Sequence, residues 1–356
     1  MRRIQIVIGV HDERRPVRRA IESVISDEFA DAIVVAHGID PGLLDVPLDN
    51  PRVTLLECRS GRGKPGVAYN YGVERSSAPF VGHLGSDDWY NPGALTAMLE
   101  AAYRDEADFV LAPLGKAKSE RGLRPITLRS QNLSGERDRL FYRTAPLGIG
   151  RREVMNNPRY KMTESVTSGM DLQASVAMWT DGLRISYKSM DPAYVVGSDA
   201  AERVSSRRRS LEEIAEAPRL LLEQRWVWEL PKQQRYGLAV KLLRSNMIDY
   251  AAMYSAHQAW RHGDEVLLRC LVDDIMQLSG VAIRALSANE SRIIDEIRSG
   301  NPESIQRALA RRRSSPLRER ALPRNPLDAL RHDSLLRRGL VTQAWRFAVR
   351  RGGGLD

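Results

Sequence analysis

The first 115 residues alternate short apolar runs with amphipathic helical stretches, and this rhythm constrains the fold more than any other feature of the chain. The predicted strands cover 4–10, 32–36, 53–56, 80–84 and 109–112, and the predicted helices cover 17–25, 67–73 and 94–102. Strands that alternate with helices build a parallel sheet covered by helices. We therefore expect an α/β fold whose ligands bind at the carboxyl ends of the strands.

The pattern changes twice further along the chain. Between 116 and 205 it is irregular, with short strands expected near 125–128, 183–187 and 194–196 and a helix over 171–179. After Ser210 it is helical over 211–227, 233–243, 248–259, 265–286 and 303–312. These changes predict an α/β domain over 1–209, an all-α C-terminal module over 210–313, and a basic linker with an amphipathic tail helix over 314–356.

The net charge of +9 is concentrated at the C-terminal end. Residues 311–356 contain 12 arginines, no lysine and 4 acidic residues, whereas the other 310 residues contain 42 basic and 41 acidic ones. The positive charge therefore belongs to a tail and not to the body of the protein. The arginines lie in no recognised nucleic-acid module, so specific nucleic-acid binding is not expected.

A basic amphipathic helix is predicted over 334–351. Leu336, Leu340 and Phe347 share one side of it, and several arginines lie on the other. Such a helix suits the interface of an anionic membrane. The alternative is that its apolar stripe docks on the protein's own helical module.

Other classes of protein are excluded by composition. No apolar run approaches the roughly 18 residues that a membrane-spanning helix needs. The two cysteines, Cys58 and Cys270, exclude a disulfide scaffold and an all-cysteine zinc site. The apolar stretch after Arg3 is too short for a signal peptide, which predicts a cytoplasmic location.

An acidic pair follows one of the buried strands. The segment Gly85-Ser86-Asp87-Asp88 comes directly after the apolar run 80–84. Oxygen ligands at this position suit a divalent metal ion, Mn²⁺ or Mg²⁺, held against a diphosphate. The alternative is a solvated turn before the helix that begins near Pro92.

A glycine-rich loop follows the third predicted strand. Gly61, Gly63 and Gly66 match the spacing of the dinucleotide fingerprint, but that fingerprint normally follows the first strand. Pro65 also lacks the N–H that a phosphate-binding turn would offer. Lys64 is a candidate for approaching a nucleotide phosphate, with a surface turn as the alternative.

Several blocks in order resemble family 2 glycosyltransferases. They are 6–13, 19–24, 70–73, 80–88 with 92–95, and the acidic motif at 168–172. The resemblance implies a GT-A fold, which is a Rossmann-like and mostly parallel sheet. It also implies an inverting mechanism and a nucleotide-sugar donor, which we expect to be UDP-linked. An inverting transferase needs a general base for the acceptor hydroxyl, and Asp171 matches that position. The alternative for Asp171 is a carboxylate that only stabilises the start of a helix.

Within that family the chain is similar to the poly(ribitol phosphate) glycosyltransferases of wall teichoic acid. The similarity rests on Gly63-Lys64-Pro65 with Asn70 and Gly72, and on 202–205, where Arg203 stands in place of a histidine. It implies an acceptor on a cell-envelope polymer or lipid-linked glycan, reached at the inner face of the plasma membrane. A homo-oligomer is left open.

The resemblance also assigns site residues. Asp171 is the catalytic base, and Asp87 and Asp88 are the metal ligands. The expected donor-binding residues are Gly9, His11, Glu13, His37, Lys64, Asn70, Ser86, Asp87 and Arg203.

Three positions depart from the family pattern. Residues 33–38 lack the aspartates that contact the nucleotide base in many family members. Gly85 stands in place of the first aspartate of the usual D-S-D-D motif, and Met170 stands in place of a glutamate. These departures leave the donor open and keep two alternatives. The chain could glycosylate a protein, such as a surface or virion protein, or it could be a catalytically degenerate GT-A protein that docks through its basic tail.

Overall fold

The structure is a computed structural model that describes residues 3–61, 63–116, 127–188, 194–197, 209–257 and 260–350. The chain divides into two compact units. Among the described residues, the first unit lies within 3–134 and 143–197, and the second lies within 135–142 and 209–350. Residues 135–142, which the sequence pattern placed in the α/β domain, therefore fold with the helical unit.

The first unit contains ten strands and five helices among its described residues. The strands are β1 (Ile4–Val10), β2 (Ala30–His37), β3 (Val53–Cys58), β4 (Phe80–Gly85), β5 (Trp89–Tyr90), β6 (Phe109–Leu111), β7 (Leu114–Lys116), β8 (Gly148–Arg151), β9 (Ile185–Ser186) and β10 (Tyr194–Val196). The helices are α1 (Val17–Ile25), α2 (Pro65–Glu74), α3 (Ala94–Arg104), α4 (Arg152–Met155) and α5 (Leu172–Thr180).

Seven of these strands form one mostly parallel sheet in the order β3-β2-β1-β4-β8-β6-β9. β1 pairs in parallel with both β2 and β4, so that Ile4 lies beside Ala30 on one side and Phe80 on the other. The predicted α/β fold with a mostly parallel sheet is confirmed. β1 and β2 are almost entirely buried because helices such as α1 and α2 cover the sheet.

One central strand was not predicted. β8 runs antiparallel between β4 and β6. Its sequence, Gly-Ile-Gly-Arg, has weak strand propensity. Its glycines instead permit close packing, since a Cβ on Gly148 would lie 2.0 Å from the carbonyl oxygen of Val110.

A second, three-stranded sheet lies beyond the end of β4. β10 pairs antiparallel with β5 and parallel with β7. The segment between β4 and β5 contains Asp87 and Asp88, so these residues connect the large sheet to the small one.

The second unit is helical. Its helices are α6 (Leu211–Leu222), α7 (Arg225–Glu229), α8 (Lys232–Lys241), α9 (Asp249–His257), α10 (Asp264–Leu278), α11 (Ala288–Ser299), α12 (Pro302–Arg311), α13 (Leu317–Ala321) and α14 (Leu335–Arg350). A π-helical turn, Leu242–Ile248, joins α8 to α9. We did not predict α11, although Ser287 and Glu290 form the capping box that begins it and their spacing is visible in the sequence.

A buried arginine lies at the centre of the helical unit. Arg244 pairs with Glu290 at 2.9 Å and donates to the hydroxyl of Tyr142 and the carbonyl oxygen of Asp333. Arg139 donates to the carbonyl oxygen of His332. These contacts explain why residues 135–142 belong to this unit.

The segment suggested as a basic linker is held in the helical unit by polar contacts. Arg284 pairs with the buried Asp328, and Arg324 pairs with Asp295. Along α14, Leu336, Leu340 and Phe347 are 40%, 61% and 56% exposed. Within the described ranges, no helix has the length and apolar character needed to cross a membrane.

Candidate active site

Polar side chains gather at the carboxyl edge of the large sheet. β1, β2 and β4 are parallel neighbours, so His11, His37 and the segment Ser86–Asp88 follow strands that end on the same side. This arrangement places several of the expected site residues along one edge.

The two adjacent aspartates have different surroundings. The carboxylate of Asp88 accepts a hydrogen bond from the hydroxyl of Tyr194 and another, at 2.8 Å, from the backbone N–H of Gly197. The same tyrosine hydroxyl accepts from the N–H of Gly85 at 3.0 Å. Burial and the charge of Asp88 raise the pKa of Tyr194 well above its ordinary value. Both oxygens of Asp88 thus connect β4 to β10, which is a structural role that we had not predicted.

Asp87 forms a partly buried ion pair. Its Oδ2 lies 2.9 Å from Nη1 of Arg15, and the two side chains are 16% and 6% exposed. The carbonyl oxygen of Asp87 accepts a hydrogen bond from Arg19 at 2.7 Å. A Cβ on Gly197 would lie 1.8 Å from that oxygen, so only glycine fits there. The position of Asp87 is therefore fixed through its backbone as well as its side chain.

The hydroxyl of Tyr69, on α2, feels the charge of three carboxylates. Burial of its hydroxyl and the charges of Asp88, Asp87 and Asp171 raise the pKa of Tyr69, and Arg15 acts in the opposite direction. A Cβ on Gly9 would lie 3.7 Å from the Tyr69 ring, so the missing side chain leaves room for this ring against β1. The structure thus brings the predicted base and the predicted metal ligands into one region.

Asp171 precedes the first residue of α5. Its side chain makes no capping hydrogen bond to that helix. The alternative that the sequence offers, a carboxylate stabilised by the dipole of this helix, acts without such a bond. Asp171 is half-buried, and the loop before it is closed by a hydrogen bond from Thr163 N–H to the Met170 carbonyl oxygen at 2.8 Å.

Asn70, expected to contact the donor, instead connects two elements of the site. Its amide nitrogen donates to the carbonyl oxygen of Met162 at 2.9 Å and to Glu164 at 2.8 Å, and its amide oxygen accepts from the N–H of Met162 at 2.9 Å. The side chain is buried. These bonds attach α2 to the segment that leads to Asp171.

Two histidines lie at the ends of β1 and β2. Burial and the neighbouring Arg15 lower the pKa of His11, and Asp12 and Asp87 only partly offset this. Burial also lowers the pKa of His37, whose Nε2 has no hydrogen-bond partner in the part of the chain described. Both imidazoles are therefore neutral at neutral pH.

The other expected donor-binding residues differ in exposure. Ser86 is buried and Glu13 is exposed. Lys64, at the start of α2, makes no ion pair with any described residue. Arg203 and its block 202–205 lie outside the described residues.

Sequence reasoning missed the long side chains of the site. Arg15 and Tyr69 do not belong to any motif, although Arg15 lies in a loop that follows a predicted strand. The hydrogen bonds of Tyr194 and Gly197 to the segment that contains Asp88 were not predicted either, because a hydrogen bond between distant residues leaves no signal in the sequence.

The contacts of the carboxylates show which of them is suited to hold a metal ion. Among the described residues, no group of three or more histidine, cysteine, aspartate or glutamate side chains is arranged to hold one. Asp88 already accepts protein hydrogen bonds on both oxygens. Asp87 provides oxygen ligands of the kind that Mg²⁺ and Mn²⁺ prefer, and it shares them with Arg15. The described residues therefore offer a metal ion one protein ligand, Asp87, and the diphosphate of a bound donor would supply further oxygen ligands.

Comparison with protein families identifies the domain that carries this edge. The family model described as Glycosyl transferase family 2 matches residues 5–158. This stretch, most of which lies in the first unit, matches the family 2 glycosyltransferase domain, and the predicted resemblance is confirmed. Enzymes of this family typically use a divalent metal ion. No curated protein matches the sequence.

Solved structures show the same fold over most of the chain. TarS residues 1–349 of S. aureus in complex with UDP-GlcNAc is 15% identical, with a TM-score of 0.74, and the match covers 88% of this chain and 92% of that one. The same fragment in complex with UDP is 14% identical, with a TM-score of 0.68 and coverage of 88% and 91%. At such low identity the likeness shows a shared fold and no more. This fold extends beyond the residues that the family model matches.

Proposed function

We propose that the protein is an inverting glycosyltransferase that moves a sugar from a UDP-linked donor to a hydroxyl group of a cell-envelope polymer or lipid-linked glycan. The observation that carries the proposal is the acidic pair Asp87 and Asp88 at the carboxyl edge of the sheet, within the residues that match the family 2 model. The charge of Asp171 acts on the same Tyr69 hydroxyl as the charges of this pair. The UDP and UDP-GlcNAc complexes of TarS, which has the same fold, favour a UDP-sugar as donor.

Asp171 is proposed as the general base. An acceptor hydroxyl must lose its proton as it attacks the anomeric carbon, and a carboxylate beside it can take that proton. The side chain of Asp171 is half-buried, and its charge acts on the hydroxyl of Tyr69 together with the charge of Asp87. The loop 163–170, fixed by Asn70 at its start, holds Asp171 in place.

Asp87 is proposed to hold the divalent ion, Mn²⁺ or Mg²⁺. When bound, such an ion supplies positive charge against the diphosphate of the donor. The chain's own residues keep Asp87 in position, because Arg19 and Gly197 fix its backbone. Asp88 holds β10 against this loop.

The acceptor and the location are proposed from the similarity to wall teichoic acid enzymes and from the tail helix. α14 exposes Leu336, Leu340 and Phe347 beside several arginines. Apolar and cationic side chains together bind anionic membrane surfaces. We propose that the enzyme works at the inner face of the plasma membrane, and its oligomeric state stays open.

The experiment that tests this function measures UDP release. The protein is incubated with Mn²⁺ and UDP-GlcNAc or UDP-glucose, with and without poly(ribitol phosphate). Asp171→Asn should lower turnover by about 10²- to 10⁴-fold, the usual contribution of a general base. It should leave UDP affinity unchanged in calorimetry, because the base acts on the acceptor.

Asp181→Asn, at the other end of α5, is the matched control and should keep native turnover. Equal turnover in native protein and Asp171→Asn would refute the assignment of the base. Absence of turnover with UDP-, GDP-, CDP- and dTDP-sugars would refute the proposal that the protein is a glycosyltransferase. In that case nucleotide-dependent thermal stabilisation would favour the degenerate binding protein.

A further inference from the structure

The loop between β1 and α1 places a buried cation on the proposed metal ligand. Arg15 lies 2.9 Å from Asp87 and is only 6% exposed. Its Nε is also buried and has no hydrogen-bond partner among the described residues. A buried guanidinium is costly unless its charge is balanced, so the pair with Asp87 keeps Arg15 in place.

This pair affects how a metal ion can bind. A divalent ion attracted to Asp87 meets a guanidinium at hydrogen-bond distance from the same carboxylate. Two cations that share one carboxylate repel each other, and in a partly buried site solvent screens this repulsion only weakly. The metal ion alone is therefore bound less tightly than Asp87 by itself would allow.

The same pair affects how a diphosphate can bind. The carboxylates of Asp87, Asp88 and Asp171 all act on Tyr69 and would repel an anionic ligand in this region. Arginine binds phosphate oxygens as readily as carboxylate oxygens. If Arg15 leaves Asp87 for the diphosphate, one movement provides both a ligand for the metal ion and a cation for the phosphates.

We propose that Arg15 takes the place of the metal ion on Asp87 in the donor-free protein and moves to the donor diphosphate when metal ion and nucleotide bind together. This inference rests on the proposed function, since it assumes a nucleoside diphosphate ligand at this edge. It makes the binding of the metal ion and of the nucleotide interdependent through one residue of the chain.

The movement also serves the reaction. The acceptor oxygen forms a bond to the anomeric carbon while the bond from that carbon to the phosphate oxygen breaks. The electron pair of the broken bond stays on the phosphate, and the acceptor proton passes to Asp171. The leaving diphosphate gains one negative charge, which Arg15 stabilises more strongly than it stabilises the bound donor.

Binding of Mn²⁺ measured by electron paramagnetic resonance, with and without UDP, tests the proposal without any turnover. In the native protein, UDP should tighten Mn²⁺ binding by about tenfold or more, within the usual range of coupling between ligands. In Arg15→Gln, Mn²⁺ without UDP should bind about tenfold more tightly than in the native protein, and UDP should change it far less. UDP affinity measured with Mn²⁺ present should fall.

Two control variants isolate the charge of Arg15. Arg15→Lys keeps the positive charge and should bind Mn²⁺ alone as weakly as the native protein. Arg18→Gln removes an exposed arginine of α1 that pairs with Asp45, and it should leave both affinities unchanged. Circular dichroism checks that each variant is folded.

The outcomes separate this inference from the proposed function. A native protein that binds UDP with Mn²⁺, together with an Arg15→Gln variant of unchanged Mn²⁺ affinity, overturns the role of Arg15 alone. A native protein that binds neither ligand overturns both proposals. Should Arg15→Gln not fold, equal Mn²⁺ affinity of the native protein with and without UDP overturns the inference.

Discussion

At the scale of single residues, His83 shows how burial alone changes a side chain's chemistry. It lies on β4 with its ring 5.0 Å from that of Tyr69, and neither ring nitrogen has a hydrogen-bond partner among the described residues. Burial lowers the pKa of His83 to about 4. The imidazole is therefore an apolar packing group, and its protonation works against folding.

This shift predicts a pH-dependent stability. Below the unfolded pKa of 6.5 the unfolded chain takes up a proton that His83 in the folded chain refuses until about pH 4, so stability falls as the pH falls through this window. From pH 7 to pH 5 the expected loss is about 2 kcal/mol. Urea unfolding at the two pH values measures it.

His83→Leu should remove about that much of the pH dependence. His11 and His37 also have lowered pKa values and act with the same sign, so the difference between native protein and variant isolates His83. His262→Asn, at an exposed position, is the control and should leave the dependence unchanged. An identical pH dependence in His83→Leu and native protein would contradict the prediction.

At the scale of elements, the attachment of α2 to the loop before α5 decides where Asp171 lies. Asn70 makes three hydrogen bonds across this contact. Gly66 allows the close approach, because a Cβ there would lie 2.7 Å from the carbonyl oxygen of Thr163. The helix thus positions the loop that leads to the proposed base.

Asn70→Ala separates this role from the donor contact suggested by the sequence. The variant leaves the N–H and the carbonyl group of Met162 without partners, which should lower the free energy of unfolding by about 1–3 kcal/mol. Turnover should fall as Asp171 loses its support, while UDP affinity measured by calorimetry stays native. A weakened UDP affinity with native turnover at saturating donor would favour the donor contact.

Gln5→Ala is the matched control for the lost amide. Gln5 accepts hydrogen bonds from the backbone N–H groups of Ser77 and Ala78, away from the carboxyl edge. Its removal should cost a similar amount of stability and leave turnover unchanged. The comparison therefore distinguishes a positioning residue from a general loss of stability.

Elements also differ in how far the sequence predicts them. β1 and α1 follow the predicted bounds because both signals are local. β1 is a nearly continuous buried run, and the buried residues of α1 recur at helical spacing. The predicted helix over 211–227 is instead broken at Glu223 and Gln224, and the one over 265–286 ends in a 3-10 turn, Gly280–Ala285. β8 is stabilised by its two neighbouring strands rather than by its own residues, so its position could not be predicted.

At the scale of the whole molecule, the C-terminal segment combines two roles. Asp328, Asp333 and Ser334 are buried in the helical unit, whereas Leu336, Leu340 and Phe347 of α14 are exposed. The first group stabilises the unit, and we propose that the second contacts a membrane. A large exposed apolar stripe otherwise has no evident function in a folded unit.

This division predicts different outcomes for two variants. Ending the chain after Ser315 removes the Asp333 carbonyl that Arg244 contacts, and should lower the stability of the helical unit by at least about 2 kcal/mol. Replacing Leu336, Leu340 and Phe347 by serine should lower the melting temperature far less than the truncation does. The serine variant should lose co-sedimentation with phosphatidylglycerol vesicles.

Binding of the native protein to phosphatidylglycerol vesicles should also weaken as the salt concentration is raised, because the arginines of the tail contribute to it. Phosphatidylcholine vesicles and a variant with Val281, an exposed residue of the same unit, replaced by serine serve as controls. Native co-sedimentation of the triple serine variant would contradict the membrane contact.

The sequence by itself determined the alternating α/β pattern, the acidic pair after β4 and the uneven distribution of charge, because each depends on residues close together in the chain. Asp171 became the candidate base through the resemblance to a family. Only the tertiary structure decided that Asp88 holds β10, that Arg15 pairs with Asp87, and that Asn70 supports the loop before Asp171. The physical reason is that these roles depend on where long polar side chains meet. Residues as distant in the chain as Asp88 and Tyr194 become neighbours only when the sheet has formed.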